Sequence, residues 1–285
     1  MPAAGHGQVI GPYALSRLIG RGSSATVHLA QDLRDQSWVA LKVLAPFGID
    51  DDELAQVQSQ FLREAAAVQQ LRHPDIVAVL DAGASGQTMW LALELVPGTD
   101  LTRYTRPARL LPEALVLRIG QRVATALAYA HAAGFVHRDV KPANVLVHWP
   151  DDTIKLADFG IARSADMQAT RTGVVLGTPV FLAPEQLAGA AAEPRTDLYA
   201  LGVTLFQLLS GHLPFESDSM GELLQAVATR PAPPLFDFRP DLPEPLLALV
   251  ASLLRKSAHE RPDSAAQVAM ALAAALANAR GNSAA

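Results

Sequence analysis

Apolar and polar positions alternate with a period of two through GPYALSRLIGRG (11–22), ATVHLAQDL (25–33) and SWVALKVLA (37–45), with glycines and polar residues punctuating the runs. This pattern predicts an antiparallel meander. The period then changes. Residues 50–71 open with Asp50, Asp51, Asp52 and Glu53 and continue with Leu54, Val57, Phe61, Ala65, Val68 and Leu71 at helical spacing, which predicts one amphipathic helix with an acidic first turn. Two further apolar runs, DIVAVLDAG and TMWLALELV, read as strands, and Pro97-Gly98 breaks the pattern. Beyond that break the chain reads as mainly helical. LPEALVLRIGQRVATALAYAHAAG (111–134) is a long Ala/Leu-rich helix with Gly134 as its stop, and LYALGVTLFQLL (198–209) and VAMALAAALANA (268–279) are two more. The organisation expected from this pattern is a flexible N-terminus over 1–10, a first unit over 11–93, a connection over 94–98, a second unit over 99–277 and a tail over 278–285.

Composition changes this picture little. With 285 residues, half of them hydrophobic and 18% charged, the chain has ample material for one large core or two packed units. A net charge of -5 argues against nucleic acid as a partner, because binding a phosphate backbone calls for a basic surface. With no cysteine, disulfides, thiolate metal sites and cysteine nucleophiles are excluded, in keeping with a reducing cytoplasm. The N-terminal residues lack the basic start and apolar core of a secretory signal, and neither long apolar run reaches the roughly 18 to 20 residues that span a bilayer.

Four constellations carry candidate chemistry. Ile19, Gly20, Arg21, Gly22, Ser23, Ser24 and Ala25, followed by Thr26 and Val27, fit G-x-G-x-x-G-x-V with alanine at the third glycine; glycines suit a loop whose amides must approach phosphates closely. Such a loop alone is equally an ordinary hairpin turn. Val39-Ala40-Leu41-Lys42 sets a lysine inside an apolar strand, where an ammonium needs an anionic partner; Glu64, mid-helix in FLREAAAV, is the candidate. Taken as a pair, these two could equally be a snorkelling lysine and a solvated glutamate. HRDVKPANVL (137–146) and KLADFGIAR (155–163) follow in order. His137-Arg138-Asp139 with Lys141 and Asn144, then Asp158-Phe159-Gly160, complete a set that resembles the protein kinases, specifically the bacterial Hanks-type serine/threonine kinases. Ala183-Pro184-Glu185, Asp197 in DLYALG and Arg261 in ERPDSA agree, and the resemblance covers roughly residues 11–275.

The resemblance implies an α+β, two-lobed fold, with a small lobe of antiparallel sheet plus one helix and a large, mainly helical lobe. It implies ATP and Mg²⁺ as cofactors. Asp139 orients the substrate hydroxyl, Lys141 approaches the γ-phosphate, Lys42 paired to Glu64 holds the α- and β-phosphates, and Asn144 and Asp158 carry the metal. The adenine is expected against Val27, Ala40, Leu93 and Leu146, with backbone hydrogen bonds at Glu94 and Val96. His137 is implied as a packing histidine in a stack with Val68, Val79 and Phe159, Glu185 and Arg261 as a buried ion pair, and Asp197 as the anchor of the catalytic-loop backbone.

Lys141 within D-V-K-P-A-N and Thr178 before A-P-E point to serine and threonine rather than tyrosine as acceptors. Arg138 beside Asp139 suggests a phosphate-dependent activation segment, with Thr170 and Thr172 as the candidate sites of autophosphorylation and Asp166 as an alternative carboxylate for Arg138. The expected partners are protein substrates and the chain itself, and the resemblance admits a homodimer through the small lobe. A silent pseudokinase or scaffold, and a small-molecule kinase of the same architecture, are the competing readings; intact Lys42, Asp139, Asn144 and Asp158 oppose the first, and the A-P-E segment opposes the second.

Overall fold

A computed structural model describes residues 8–22, 25–44, 51–160 and 179–282. The described residues up to Pro97 form one compact unit, and those in Gly98–Phe159 and from Pro179 onward form another.

The first unit is a six-stranded antiparallel sheet with one helix. Strands β1 (Val9–Ile10), β2 (Tyr13–Arg21), β3 (Ala25–Asp32), β4 (Trp38–Leu44), β5 (Val79–Ser85) and β6 (Thr88–Glu94) lie in the order β1-β2-β3-β4-β6-β5. One face is closed by Tyr13, Ala30, Val39, Leu41, Trp90 and Ala92, with the Tyr13 and Trp90 rings edge to face at 5.1 Å. Helix α1 (Asp51–Val68) buries Leu54, Val57, Phe61, Ala65 and Val68, the stripe its periodicity predicts, and packs on β5. Val9 and Ile10, at the end of the expected N-terminal segment, pair with Ala14 and Tyr13. Gly11, at φ +56°, supplies the left-handed residue that this two-residue reversal needs.

The second unit is mainly helical: α2 (Glu113–Ala132), α3 (Pro184–Leu187), α4 (Pro194–Ser210), α5 (Met220–Thr229), α6 (Glu244–Leu253) and α7 (Ala265–Asn282). Helix α2 ends where Gly134 predicts. The Phe135 amide donates to Ala130 O at 2.9 Å and the Gly134 amide to His131 O at 3.0 Å, with Gly134 at φ +82°, a Schellman ending. Helix α4 is buried almost throughout, and α2 packs on it and on α7. Helix α7 runs to Asn282, into the segment expected as a tail from 278. Alanines dominate the helix up to Ala277, and its first glycine is Gly281. A three-stranded sheet, β7 (Thr99–Asp100), β8 (Val145–His148) and β9 (Thr153–Leu156), was not anticipated; its strands are too short for alternation to announce them.

Candidate active site

In the first unit, cross-strand register gathers several predicted residues on one face. Val27 lies opposite Lys42 and Lys42 opposite Leu91, while Ala40, two residues before Lys42 and therefore on the same face, lies opposite Leu93. The other face of β4 is packed: Val39 and Leu41 belong to the buried cluster, whereas Val27, Ala40 and Lys42 are only half-buried. Glu64 on α1 is half-buried and accepts from Gln60 Nε2 at 2.6 Å. Glu94 spends its amide on Ala78 O at 2.9 Å and accepts the Ala78 amide on Oε2 at 3.2 Å; Val96 follows β6, half-buried.

The glycine loop closes as a hairpin. Gly20 lies opposite Val27 and Arg21 opposite Thr26, Ile19 falls at a register shift, and the Gly22 amide donates to Ala25 O at 2.8 Å. Ala25, at the third glycine position, carries no positive φ, so the alanine strains nothing. Neither Gly20 nor Gly22 is required by its own surroundings. A Cβ at Gly20 would meet Val27 Cβ at 3.5 Å, and one at Gly22 would meet Ala25 O at 3.6 Å, both ordinary contacts. Ser23 and Ser24 lie outside the described residues.

In the second unit, a buried carboxylate shapes the loop that follows α2. Asp197, on α4 and fully buried, accepts the His137 amide on Oδ2 and the Arg138 amide on Oδ1, each at 2.7 Å. His131, in the last turn of α2, reaches the same Oδ2 through Nε2 at 2.8 Å. These bonds hold Arg138 at φ +69°, a conformation that costs an ordinary residue roughly 1 to 3 kcal/mol and persists only where neighbours enforce it. His137 is buried. Its Nδ1 accepts the Asp139 amide at 3.2 Å and its Nε2 donates to Ala157 O at 2.9 Å, so neither nitrogen is available as a base. Burial holds its pKa below the ordinary value despite the neighbouring aspartates, so the ring is neutral. Its ring lies 4.5 Å from that of Phe159.

That loop turns Asp139, Lys141 and Asn144 toward one another. Lys141 Nζ lies 2.7 Å from Asp139 Oδ2, and Asn144 Nδ2 donates to Asp139 Oδ2 and to Asp139 O, both at 2.8 Å. Burial opposes ionisation of Asp139, but the Lys141 charge and the hydrogen bonds from Lys141 and Asn144 outweigh it and hold the pKa below the usual carboxylate range. Asp139 is therefore an anion at neutral pH. Ala157 donates its amide to Asn144 O at 2.8 Å, which places Asp158 next to the asparagine's backbone; Asp158 sits at φ +62°, a second left-handed residue. Leu146, half-buried on β8, lies opposite Asp100 and Lys155.

The protein kinase domain family matches residues 13–272. The chain belongs to that family. Among curated relatives of this kinase domain, the serine/threonine-protein kinase pkn3 of Myxococcus xanthus is 39% identical over 264 residues, covering 89% of this chain and 48% of that protein. The serine/threonine-protein kinase PknJ of Mycobacterium tuberculosis is 39% identical over 277 residues, covering 95% of this chain and 46% of its own length. The chain thus spans about half the length of these relatives. Among solved structures, Rad53 residues 1–466 in complex with AMP-PNP matches with a TM-score of 0.74 and 25% identity, covering 90% of this chain and 64% of that one.

Glu185 and Arg261 form a two-pronged pair at 2.7 and 2.8 Å; Arg261, its side chain fully buried, also donates to the carbonyls of Arg195, Lys256 and Arg255. His131 escaped the sequence reading, its only signal being a position six residues before His137 at the end of a helix. Thr170, Thr172, Asp166 and Thr178 lie outside the described residues. Among the described residues, no helix is long and apolar enough to cross a membrane.

Proposed function

We propose that this chain is a serine/threonine protein kinase that transfers the γ-phosphate of Mg-ATP to hydroxyls of proteins. The observation that carries the reading is the ionised Asp139 flanked by Lys141 and Asn144 on a loop anchored to Asp197. Phosphoryl transfer passes through a loose transition state, so a protein contributes mainly position and charge. Asp139 accepts a hydrogen bond from the substrate hydroxyl, aligns its oxygen, and takes the proton as the new P–O bond forms and ADP leaves. Lys141 offsets charge on the γ-phosphate. Lys42, supported by Glu64, holds the α- and β-phosphates, and the hairpin from Ile19 to Ala25 covers them. The glycines at 20 and 22 fit that role, because nothing in the protein itself demands them. Val27, Ala40 and Leu93 are the apolar residues of the first unit assigned to the base, with Glu94 and Val96 supplying backbone contacts, and Leu146 is the one assigned to it from the second.

The residues present also suit Mg²⁺. Asn144 turns its Nδ2 to Asp139, leaving Oδ1 as the oxygen it can offer, and Asp158 adds a carboxylate; a magnesium ion carried by a nucleotide needs only one or two such protein oxygens. When bound, the ion neutralises charge on the phosphate oxygens. We further assign Thr170 and Thr172 as autophosphorylation sites whose phosphates engage Arg138. Protein substrates, the serine/threonine preference, a cytoplasmic setting and a homodimer belong to the same proposal.

The test compares wild type with Asp139→Asn for γ-phosphate transfer to a protein substrate. The variant is expected to bind ATP normally and to lose roughly 10²- to 10⁴-fold in kcat. Near-wild-type turnover removes Asp139 from the mechanism.

A further inference from the structure

One lysine of the second unit has contacts that the catalytic reading does not use. Lys256 follows α6, half-buried, on the segment that leads to Arg261. Its Nζ donates to Val227 O at 2.6 Å and to Ala226 O at 3.3 Å, two carbonyls in the last turn of α5. The same ammonium lies 4.0 Å from the centre of the buried Phe215 ring and 5.9 Å from that of Tyr199 on α4. The last carbonyls of a helix accumulate negative charge, so a cation here complements the helix dipole; it gives Val227 O its close donor and Ala226 O, which already accepts the Arg230 amide at 2.9 Å, a second, longer one.

The importance lies in what α5 touches. Val227 and Ala226, the residues whose carbonyls Lys256 holds, form a buried cluster with Phe215 and Val180, and Phe181 packs against it. Val180 and Phe181 belong to the single turn Pro179–Phe181, which begins one residue after Thr178. A helix of ten residues is only marginally stable alone, so α5 depends on tertiary contacts for its position. Lys256 is a charged contact that fixes its last turn.

We propose that Lys256 is a positioning residue for the protein substrate: by holding the end of α5 it fixes the floor on which Pro179–Phe181 rests, and so governs the affinity for the peptide rather than for ATP. The substrate part of this inference rests on the kinase reading above, with the segment from Thr178 to A-P-E taken as the platform for the peptide; the mechanical part does not. The charged neighbour of Lys256 is Arg261, which Glu185 of α3 neutralises through both carboxylate oxygens, and the Tyr199 hydroxyl is held neutral by burial. The ammonium's attraction therefore goes to the two carbonyls and the rings. Burial and, after it, the charge of Arg261 bring its pKa down to about 8, which still leaves most of the amine protonated at neutral pH.

Two measurements on Lys256→Met, which keeps the packed stem and removes the donor, test the inference. Amide hydrogen exchange is expected to accelerate in residues 220–229 and at Val180 and Phe181 while α7 keeps its protection; unchanged exchange in α5 overturns the mechanical part whether or not the chain is an active kinase. In transfer assays, the KM for protein substrate is expected to rise several-fold, with roughly ten-fold as the upper bound set by one charge-assisted hydrogen bond within the protein. The KM for ATP is expected to stay within about two-fold, and Lys256→Arg to recover most of the protein affinity. Equal KM for protein in Lys256→Met and wild type, or a parallel loss of both substrate affinities, contradicts the positioning role. If Lys256→Met does not fold, Lys256→Gln, which keeps one donating group, decides by the same comparison.

Discussion

Two acids in the second unit are held ionised by different neighbours, with different consequences. Asp139 owes its low pKa to Lys141 and Asn144, groups assigned to turnover, whereas Glu185 owes it to Arg261, which braces the segment ending at α3. Burial pushes the pKa of Glu185 up, but the bonds from Arg261, with Thr196 adding one at 3.2 Å, bring it below the ordinary 4.5. A carboxyl depressed in the folded state contributes stability that is complete above its unfolded pKa and disappears as the pH falls through the folded one. Arg261→Ala, which leaves Glu185 without its partner, should cost roughly 3 to 5 kcal/mol at neutral pH. The gap to wild type should narrow below the ordinary carboxylate range, and melting curves at neutral and acid pH check both halves. Asp158→Ala should leave the fold intact and abolish Mg²⁺-dependent nucleotide binding, read by calorimetry with and without the metal. At this scale the sequence was informative where a residue type was chemically conspicuous: a lysine in a strand, or an aspartate between arginine and valine. His131 and Lys256 were not legible, because each acts on a partner far away in sequence, 66 residues in one case and 29 in the other.

Elements were legible in proportion to their length. Strands β2 to β6, α1 and α2 follow from period and stop signals, since each repeats its pattern often enough to exclude the alternative, whereas the two-residue β1 does not. The four-residue strands β8 and β9 carry only two buried positions each, so their pairing is decided by partners rather than by local pattern. Glycines divide along the same line. Gly202 on α4 stands where a Cβ would come within 2.7 Å of Leu253 Cβ on α6, so Gly202→Ala should destabilise by about 1 to 3 kcal/mol although alanine is the better helix former. Chemical denaturation measures this directly. Gly22→Ala meets no such obstacle and should melt with wild type, while raising the KM for ATP if the hairpin covers phosphates as proposed. An unchanged KM would remove the loop from the nucleotide site.

For the whole molecule, the order of the motifs along the chain conveyed what no single motif could. A glycine hairpin, a strand lysine, a helix glutamate, the 137–144 loop and Asp158 each have an ordinary structural reading, yet in sequence they define a kinase domain, which the family match over residues 13–272 bears out. Family membership leaves open the use to which the domain is put, and the catalytic chemistry decides among the three readings. The most direct measurement follows γ-labelled ATP in the presence of Mg²⁺, the purified chain and a protein substrate, and asks where the label goes. The account predicts acid-stable phosphoserine and phosphothreonine on protein, absent or nearly so with Asp139→Asn. Label that never leaves ATP although the nucleotide binds, or label that passes to a small molecule and not to protein, would contradict it.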